Sequence, residues 1–211
     1  MRINKLNLLK KLNILSNLNK HAIFSTICIA TVLPCLTLQG CAAVAVSGAA
    51  TSVALANDRR SAGTIIDDQA IELRALHALS QNSELWKKCH VSVISYNNDV
   101  LIVGQTPTSA MKGDIETAIK KIPNVKNIYN ELTLSKPVPL STRTMDSWIT
   151  TQVKAKMVAE REINPTRVKV VTENGIVYLL GITNKKEQMS ATETARTVSG
   201  VNKVVQIFES T

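Results

Sequence analysis

The sequence is poor in aromatic side chains, which make up 3% of its 211 residues. Proteins that bind single-stranded nucleic acid stack bases on clustered aromatic rings, so the composition argues against this function. Acidic residues are absent from residues 1–40, which carry five of the 25 lysines and arginines. The rest of the chain has 20 basic and 16 acidic residues, a formal charge of +4. This mild bias does not suggest an electrostatic DNA-binding protein, and no nucleic-acid partner is expected.

Reactive side chains are also scarce, with four cysteines and three histidines in the whole chain. Beyond residue 41 only Cys89, His77 and His90 remain, and no pair of them has the spacing of metal ligands. Cys89 precedes His90 directly, but adjacent residues on a strand point to opposite faces, so the histidine could not activate the thiol. No glycine-rich phosphate loop is present. We therefore expect no catalytic residues, no metal site and no cofactor.

The N-terminus has the layout of a secretory signal. Met1–Lys20 is basic and polar, and Ala22–Leu38 is an apolar run of 17 residues. The run ends in Leu38-Gln39-Gly40-Cys41, which resembles the bacterial lipobox, with Cys41 as the residue to be acylated. The alternative is an uncleaved signal anchor, because apolar character continues to residue 56.

The lipobox predicts a lipoprotein whose mature chain begins at Cys41. Three acyl chains, palmitate among them, contribute about 0.8 kcal/mol per buried CH₂ and would hold the protein in a bilayer almost irreversibly. The next residue is Ala42 rather than an aspartate. In lipoproteins of Gram-negative bacteria, that resemblance implies export to the outer membrane, with the chain facing the periplasm.

Two copies of one sequence unit occupy the rest of the chain. Val91–Gly104 aligns without a gap with Val168–Gly181 at an offset of 77 residues. Each copy predicts a helix, two strands joined by a tight turn, a second helix and a last strand. The predicted first helices are Asp67–Ser80 and Met145–Glu160, with apolar residues at every fourth position.

This order predicts an α+β fold in which two helices cover one face of a small three-stranded mixed sheet. The turns are predicted at Asn97-Asn98-Asp99 and Glu173-Asn174-Gly175, because these residue types tolerate left-handed backbone. The stiff, proline-containing linker predicts two adjacent domains. The predicted segments are a signal peptide (1–40), a lipidated tether (41–63), a first domain (64–134), a linker (135–141) and a second domain (142–211).

The repeat resembles the BON domain, a unit of bacterial periplasmic and membrane-associated proteins. Its marks are Gly104 and Gly181 at the end of the second strand, with Asn124-Val125 and Gly200-Val201 before the last strand. A lipobox followed by two such domains is similar to the dual BON-domain outer-membrane lipoproteins, a family of division- and outer-membrane stress-associated lipid-binding proteins. Stretches that resemble the signatures of this family are Asp58–Thr64 with Asp67-Asp68-Gln69, Asp146–Thr151 and Val168–Gly175.

Trp148 is the candidate for a membrane contact. It lies about 140° from the centre of the apolar stripe on its predicted helix, so it belongs to the outer face. That face is apolar to neutral with one flanking cation, which suits a bilayer interface. The resemblance implies that the second domain binds anionic phospholipid here; the alternative is that Trp148 packs between the domains. The predicted membrane-binding residues are Trp148, Thr151, Lys154, Ala155 and Val158.

Two polar stretches allow more than one interpretation. Asp58-Arg59-Arg60 is either a lipid head-group site, a solvated stretch, or a segment that docks against the first domain. Asp67-Asp68 and Asp146-Ser147 stand at the predicted helix starts, where acidic and hydroxyl side chains cap helices.

The sequence thus indicates a non-enzymatic outer-membrane lipoprotein that binds anionic phospholipid, such as phosphatidylglycerol, and supports envelope integrity, with a role at division sites. The alternative is a periplasmic adaptor whose domains dock an envelope or division-site protein, with Trp148 as an interface anchor. The two functions differ in salt dependence and in partner.

Overall fold

The computed structural model describes residues 58–211, which form five α-helices, a 3₁₀-helix and seven strands. None of the helices in this part of the chain combines the length and hydropathy that a membrane crossing requires. Cys41, and with it the predicted signal and most of the tether, lies outside the described residues.

The first unit has the predicted order, with one additional short helix. Its elements are α1 (Ala62–Gln81), α2 (Ser83–Lys88), β1 (His90–Tyr96), β2 (Asp99–Thr106), α3 (Ser109–Lys120), β3 (Ile128–Asn130) and β4 (Thr133–Leu134). β1 and β2 pair antiparallel, and β3 and β4 both pair parallel with β2. β3 and β4 therefore lie on the same edge of the sheet, beside β2, with a break in the strand between them.

The second unit repeats this arrangement with an uninterrupted closing strand. Its elements are α4 (Leu140–Ala159), a 3₁₀-helix (Pro165–Arg167), β5 (Val168–Glu173), β6 (Ile176–Thr183), α5 (Lys185–Arg196) and β7 (Lys203–Ser210). β6 is the central strand, antiparallel to β5 and parallel to β7. The predicted α+β class, with two helices against a small mixed sheet in each unit, is confirmed.

The first helix of each unit begins five residues before its predicted start. In α1 the side chain of Ser61 accepts from the backbone N–H of Thr64, which places the N-cap at Ser61 rather than at Asp67. α4 starts directly after Pro139, whose fixed φ suits a helix start and whose side chain makes no capping hydrogen bond. The short helix α2, which was not predicted, is capped by Asn82.

The phase predicted for the first helices is confirmed. Ile71 and Leu79 of α1 are buried, and so are their equivalents Ile149 and Met157 of α4. Each helix thus presents one apolar stripe to its own sheet, which leaves the opposite face of each helix exposed.

Asp68 and Asp146 do not cap helices, and that prediction is wrong. Both residues lie past the first turn of their helices and are buried, and each carboxylate binds the tight turn of the hairpin in its own unit. Asp146 accepts the backbone N–H groups of Asn174 and Gly175, each at 2.8 Å. Asp68 accepts those of the equivalent Asn97 and Asn98 at 2.9 and 2.8 Å. The carboxylates fix the turns, whose residues have positive φ, against the first helices.

Glycine at the end of the second strand has a steric cause. A side chain at Gly104, where φ is +124°, would clash with the carbonyl oxygen of His90, and one at Gly181 would clash with that of Arg167. The hairpin strands therefore approach each other more closely here than a Cβ atom allows.

Three apolar clusters stabilise the two units, and one of them joins the units to each other. One lies between helices and sheet in each unit. The third joins the opposite faces of the two sheets, and its buried members are Ile94, Tyr96, Leu101, Val103, Tyr178, Leu180 and Ile207. The domains are adjacent, as the linker predicts, and they share a core, so residues 58–211 form four layers in the order helices, sheet, sheet, helices.

The segment before α1 contacts both domains. Arg60 pairs with Asp58 and Asp68 at 2.7 and 2.8 Å, and its guanidinium lies 4.0 Å from the centre of the Tyr96 ring. Arg59 donates to the carbonyl oxygen of Ile182 in the second domain at 3.2 Å. Of the interpretations left open for this stretch, the structure supports docking against protein.

The pKa of Asp58 reflects this docking. Burial opposes its ionisation, but the hydrogen bonds from Arg60 outweigh the burial and hold the pKa below its ordinary value of 3.8. The guanidinium groups of Arg59 and Arg60 thus both bind protein groups, as the contacts above show, and neither is directed to a lipid head group.

Candidate functional site

The candidate site is the outer face of α4. Burial of Ile149, Val153 and Met157 to 1% exposure or less fixes the rotation of the helix about its axis. All five residues predicted to contact membrane are consequently exposed, with 47% of Trp148 and 69% of Val158 accessible to solvent. The structure brings them together as one continuous face.

The alternative position for Trp148, between the two domains, is wrong. The cluster between the sheets does not include Trp148, which lies on the far side of its own sheet. Its surroundings belong to the second domain alone. A shallow apolar depression of about 510 Å³ beside the indole is lined by Met145 and, from the loop before β7, by Ser199 and Gly200.

Leu140 extends the face toward the N-terminus of α4. It is 75% exposed, and at 100° per residue it falls within about 40° of the centre of the outer face. Leu140 was not among the predicted residues of the face, because the predicted helix began at Met145. From Leu140 to Val158 the exposed apolar face extends about 27 Å along the helix axis, as 1.5 Å per residue dictates.

The charge on α4 is almost entirely positive. Its 20 residues contain Arg143, Lys154 and Lys156, and a single acid, Asp146, which is 5% exposed and bonded to the hairpin turn. Lys154 lies on the outer face, whereas Lys156 Nζ points aside to the carbonyl oxygen of Thr197 at 3.0 Å. An anionic surface that approaches α4 therefore meets cations and apolar groups but no exposed carboxylate of this helix.

Asp146 determines how rigidly the face is held. Because its carboxylate joins the middle of α4 to the β5–β6 turn, the helix is fixed to the sheet by hydrogen bonds as well as by its apolar stripe. Trp148, two residues further on, is thus carried by a helix that has little freedom to rotate or tilt. Such a preformed face needs little reorganisation when it binds.

No three His, Cys, Asp or Glu side chains within residues 58–211 lie close enough together to hold a metal ion. Cys89 is half-buried, and its Sγ lies 3.4 Å from Thr106 Oγ1 and 3.9 Å from the sulfur of Met111. His90 is 3.9 Å from Glu173 of the second domain. Burial, reinforced by the charge of Arg143 against the opposing effect of Glu173, lowers the pKa of His90.

The profile of the BON domain family matches residues 67–136 and 145–208, which together are more than half of the chain. The chain belongs to the BON-domain family. It is 38% identical over 172 residues to the outer membrane lipoprotein DolP of Haemophilus influenzae, an alignment that covers 82% of this chain and 89% of that protein.

Two further relatives are similar over most of the chain. The 21 kDa hemolysin of Actinobacillus pleuropneumoniae is 39% identical, with 72% of this chain and 78% of that protein covered. Osmotically-inducible protein Y of Escherichia coli is 26% identical, with 67% and 72% covered. The chain is accordingly a dual BON-domain lipoprotein, attached to the outer membrane by its lipid.

Proposed function

We propose that this BON-domain lipoprotein binds anionic phospholipid through the outer face of α4 and supports the integrity of the envelope, including at division sites. It does so without catalysis. The observation that carries the proposal is an exposed, rigidly held helix face with apolar residues along about 27 Å and no accessible acid. A helix with an apolar outer face and flanking cations is suited to lie in the plane of a bilayer interface.

Each side chain of the outer face of α4 would make a different kind of contact with the membrane. The indole of Trp148 would sit at head-group level, where its ring is buried and its N–H stays near polar groups. Leu140 and Val158 would enter the acyl boundary on either side of it. Lys154 would attract anionic head groups, with about 1 kcal/mol for one cation near the surface. Thr151 and Ala155 are small, so the helix backbone can approach the membrane closely.

The anchor and the binding face are separate parts of the proposal. Cys41 would carry the lipid, residues 1–40 would be removed as a signal peptide, and residues 41–63 would tether the two domains. The domains would comprise residues 64–134 and 142–211, joined by the linker 135–141. The tether would let the chain reach lipid, and the helix face would select anionic regions of the membrane.

The size of the Trp148 contribution follows from its exposure. About half of an indole surface of roughly 200–250 Å² is roughly 100 Å², which at about 25 cal/mol per Å² corresponds to about 2.5 kcal/mol on transfer out of water. Trp148→Ala should therefore weaken vesicle binding between about tenfold and a hundredfold. Trp148→Glu should weaken it further, because a carboxylate resists dehydration and is repelled by anionic lipid.

The test is co-sedimentation of the described domains with vesicles that contain phosphatidylglycerol and with neutral phosphatidylcholine vesicles. Lys154→Glu should lower affinity for the anionic vesicles by about 1–2 kcal/mol. Lys156→Glu is the matched control, since it makes the same charge change on the same helix but off the outer face, and its effect should be smaller. In a Trp86→Phe background, anionic vesicles should shift the Trp148 emission to the blue.

Equal affinity of wild type and Trp148→Glu for anionic vesicles, with both proteins folded, would overturn the lipid assignment. In that case the face would be an anchor for an envelope protein, as the adaptor function requires.

A further inference from the structure

Strand β1 is an edge of the first sheet, and no other described strand pairs with its outer side. The N–H of Ser95 points to that side and donates to Glu72 Oε1 at 2.9 Å, while its carbonyl oxygen accepts from Lys169 Nζ at 3.2 Å. Because backbone groups alternate in direction along a strand, those of Val93 and Val91 point the same way. No side chain within residues 58–211 bonds to them, so this stretch of edge is open.

An apolar groove runs along this open edge, between β1 and α1. It consists of two adjoining depressions of about 340 Å³ each. The one beside Val93 is bordered by Leu73 and Leu76, which are 67% and 53% exposed. The other lies beside Cys89 and is bordered by Leu76 and Trp86, the latter 57% exposed.

The equivalent groove of the second domain differs in which parts of the chain border it. It lies between β5 and α4, and side chains of Arg60, Ile65 and Gln69 line it from the N-terminal part of the described chain. In the first domain all residues that border the two depressions come from that domain itself. The groove of the second domain is thus bordered in part by residues from outside that domain, whereas the groove of the first domain is bordered by residues of its own domain alone.

We infer that the groove of the first domain binds an extended segment of another protein, which adds to the sheet as a strand beside β1. The backbone of the segment would pair with the outward groups of Val91 and Val93. Side chains two residues apart point to the same face of a strand, so alternate residues of the segment would face the two adjoining depressions. The partner is therefore an extended peptide with large aliphatic or aromatic residues at positions i and i+2.

Charge adds a further requirement for the partner. Lys87 is exposed next to Trp86 and forms no ion pair within the described part of the chain, since Glu84 pairs with Lys88. At the other end of the groove Glu72 is paired with Lys169 at 2.8 Å. A segment with an acidic residue at the Trp86 end would therefore complement the groove.

The experiment uses an array of decapeptides in which Val, Leu, Ile and Phe are permuted at alternating positions, with a glutamate at either end. Wild-type residues 58–211 and the variant Leu76→Lys are applied to it. Ile66→Lys is the matched control, because Ile66 is 69% exposed on the same helix but does not border the groove. Peptides retained by wild type and by Ile66→Lys should bind Leu76→Lys at least tenfold more weakly.

Two measurements on the best peptide identify strand addition. N-methylation of the alternate amides that face β1 should abolish binding, whereas N-methylation of the other amides should not. The amide protons of Val91 and Val93 should become protected from hydrogen exchange when the peptide binds. These readouts leave the protein unchanged, so they do not depend on how a variant folds.

Several results would overturn the inference. They are equal binding of every peptide to wild type and Leu76→Lys, indifference to which amides are methylated, and self-association of the protein that Leu76→Lys removes without any peptide binding. Loss of anionic-vesicle binding in Leu76→Lys would also overturn it, since the groove would then be part of the membrane-binding surface.

Discussion

Asp146→Ala should destabilise the protein through the β5–β6 turn rather than through the end of a helix. The carboxylate is 5% exposed and accepts two backbone N–H groups at 2.8 Å each. A hydrogen bond to a charged group contributes about 1.5–3 kcal/mol, and two backbone donors would lose their partner, of which the N–H of Gly175 is buried and that of Asn174 partly so. We expect a loss of about 3–5 kcal/mol in the free energy of unfolding. Asp146→Asn keeps one acceptor oxygen, so it should cost about half as much.

Urea denaturation followed by circular dichroism measures this effect. Ser147→Ala is the control on the same helix, since its exposed hydroxyl donates only to the carbonyl oxygen of Arg143, and it should change stability by less than about 0.5 kcal/mol. The equivalent Asp68→Ala should cost more than Asp146→Ala, because Asp68 also accepts from Ser95 Oγ at 2.6 Å and from Arg60. Because the two sheets share a core, each variant should shift one common transition.

Two results would contradict this account of Asp146. If Asp146→Ala changed the free energy of unfolding no more than Ser147→Ala does, the two hydrogen bonds would contribute nothing net. The turn would then keep its conformation without the carboxylate. Two separate transitions, only one of them moved by Asp146→Ala, would show that the sheet-to-sheet cluster does not couple the domains.

Further predictions concern the anchor, the helix cores and alkaline pH. Mass spectrometry of detergent-extracted protein should find acylated Cys41 as the first residue, and a mature chain that begins at Met1 would contradict the proposed anchor. Leu79→Ala and Met157→Ala should each lower the free energy of unfolding by about 2–5 kcal/mol in chemical denaturation. Little change would mean that the surrounding side chains move in to fill the cavity. Burial, followed by the charges of two nearby glutamates, raises the pKa of Tyr178 to about 12. The folded state then retains a proton that the unfolded chain releases above its ordinary pKa of 10.0, so stability should fall as pH rises from about 10 to 12. Tyr178→Phe should flatten that decline.

The repeat and the helix phase could be predicted because they depend on local periodicity. Ile71 and Ile149 lie at an offset of 78 residues, and their stripes are buried as a period of 3.6 residues requires. The outer face of α4 follows from the same phase, so the exposure of Trp148 was predictable once the stripe was known. Leu140 was not, since its place on the face depends on a helix start that no capping side chain marks.

The roles of Asp68 and Asp146 could not be derived in this way. An acid near a helix start is most often a cap, and only the position of the hairpin, some 28 residues further along the chain, shows what these carboxylates bind. The shared core between the sheets did leave a signal. β2 is apolar at four successive positions, Val100–Val103, and a strand that is apolar on both faces is covered on both.

The contact between the two sheets has a symmetry that bears on how such chains are built. Leu101 and Tyr178 occupy equivalent positions of the two repeats, as do Val103 and Leu180, and all four lie in the same cluster. Each unit therefore offers the other the same patch of its own sheet, which is the arrangement of a two-fold homodimer. The linker turns that dimer into a single polypeptide, so pairing no longer depends on protein concentration. A chain that carried one such unit with the same apolar patch would expose that patch to solvent unless a second copy or another partner covered it.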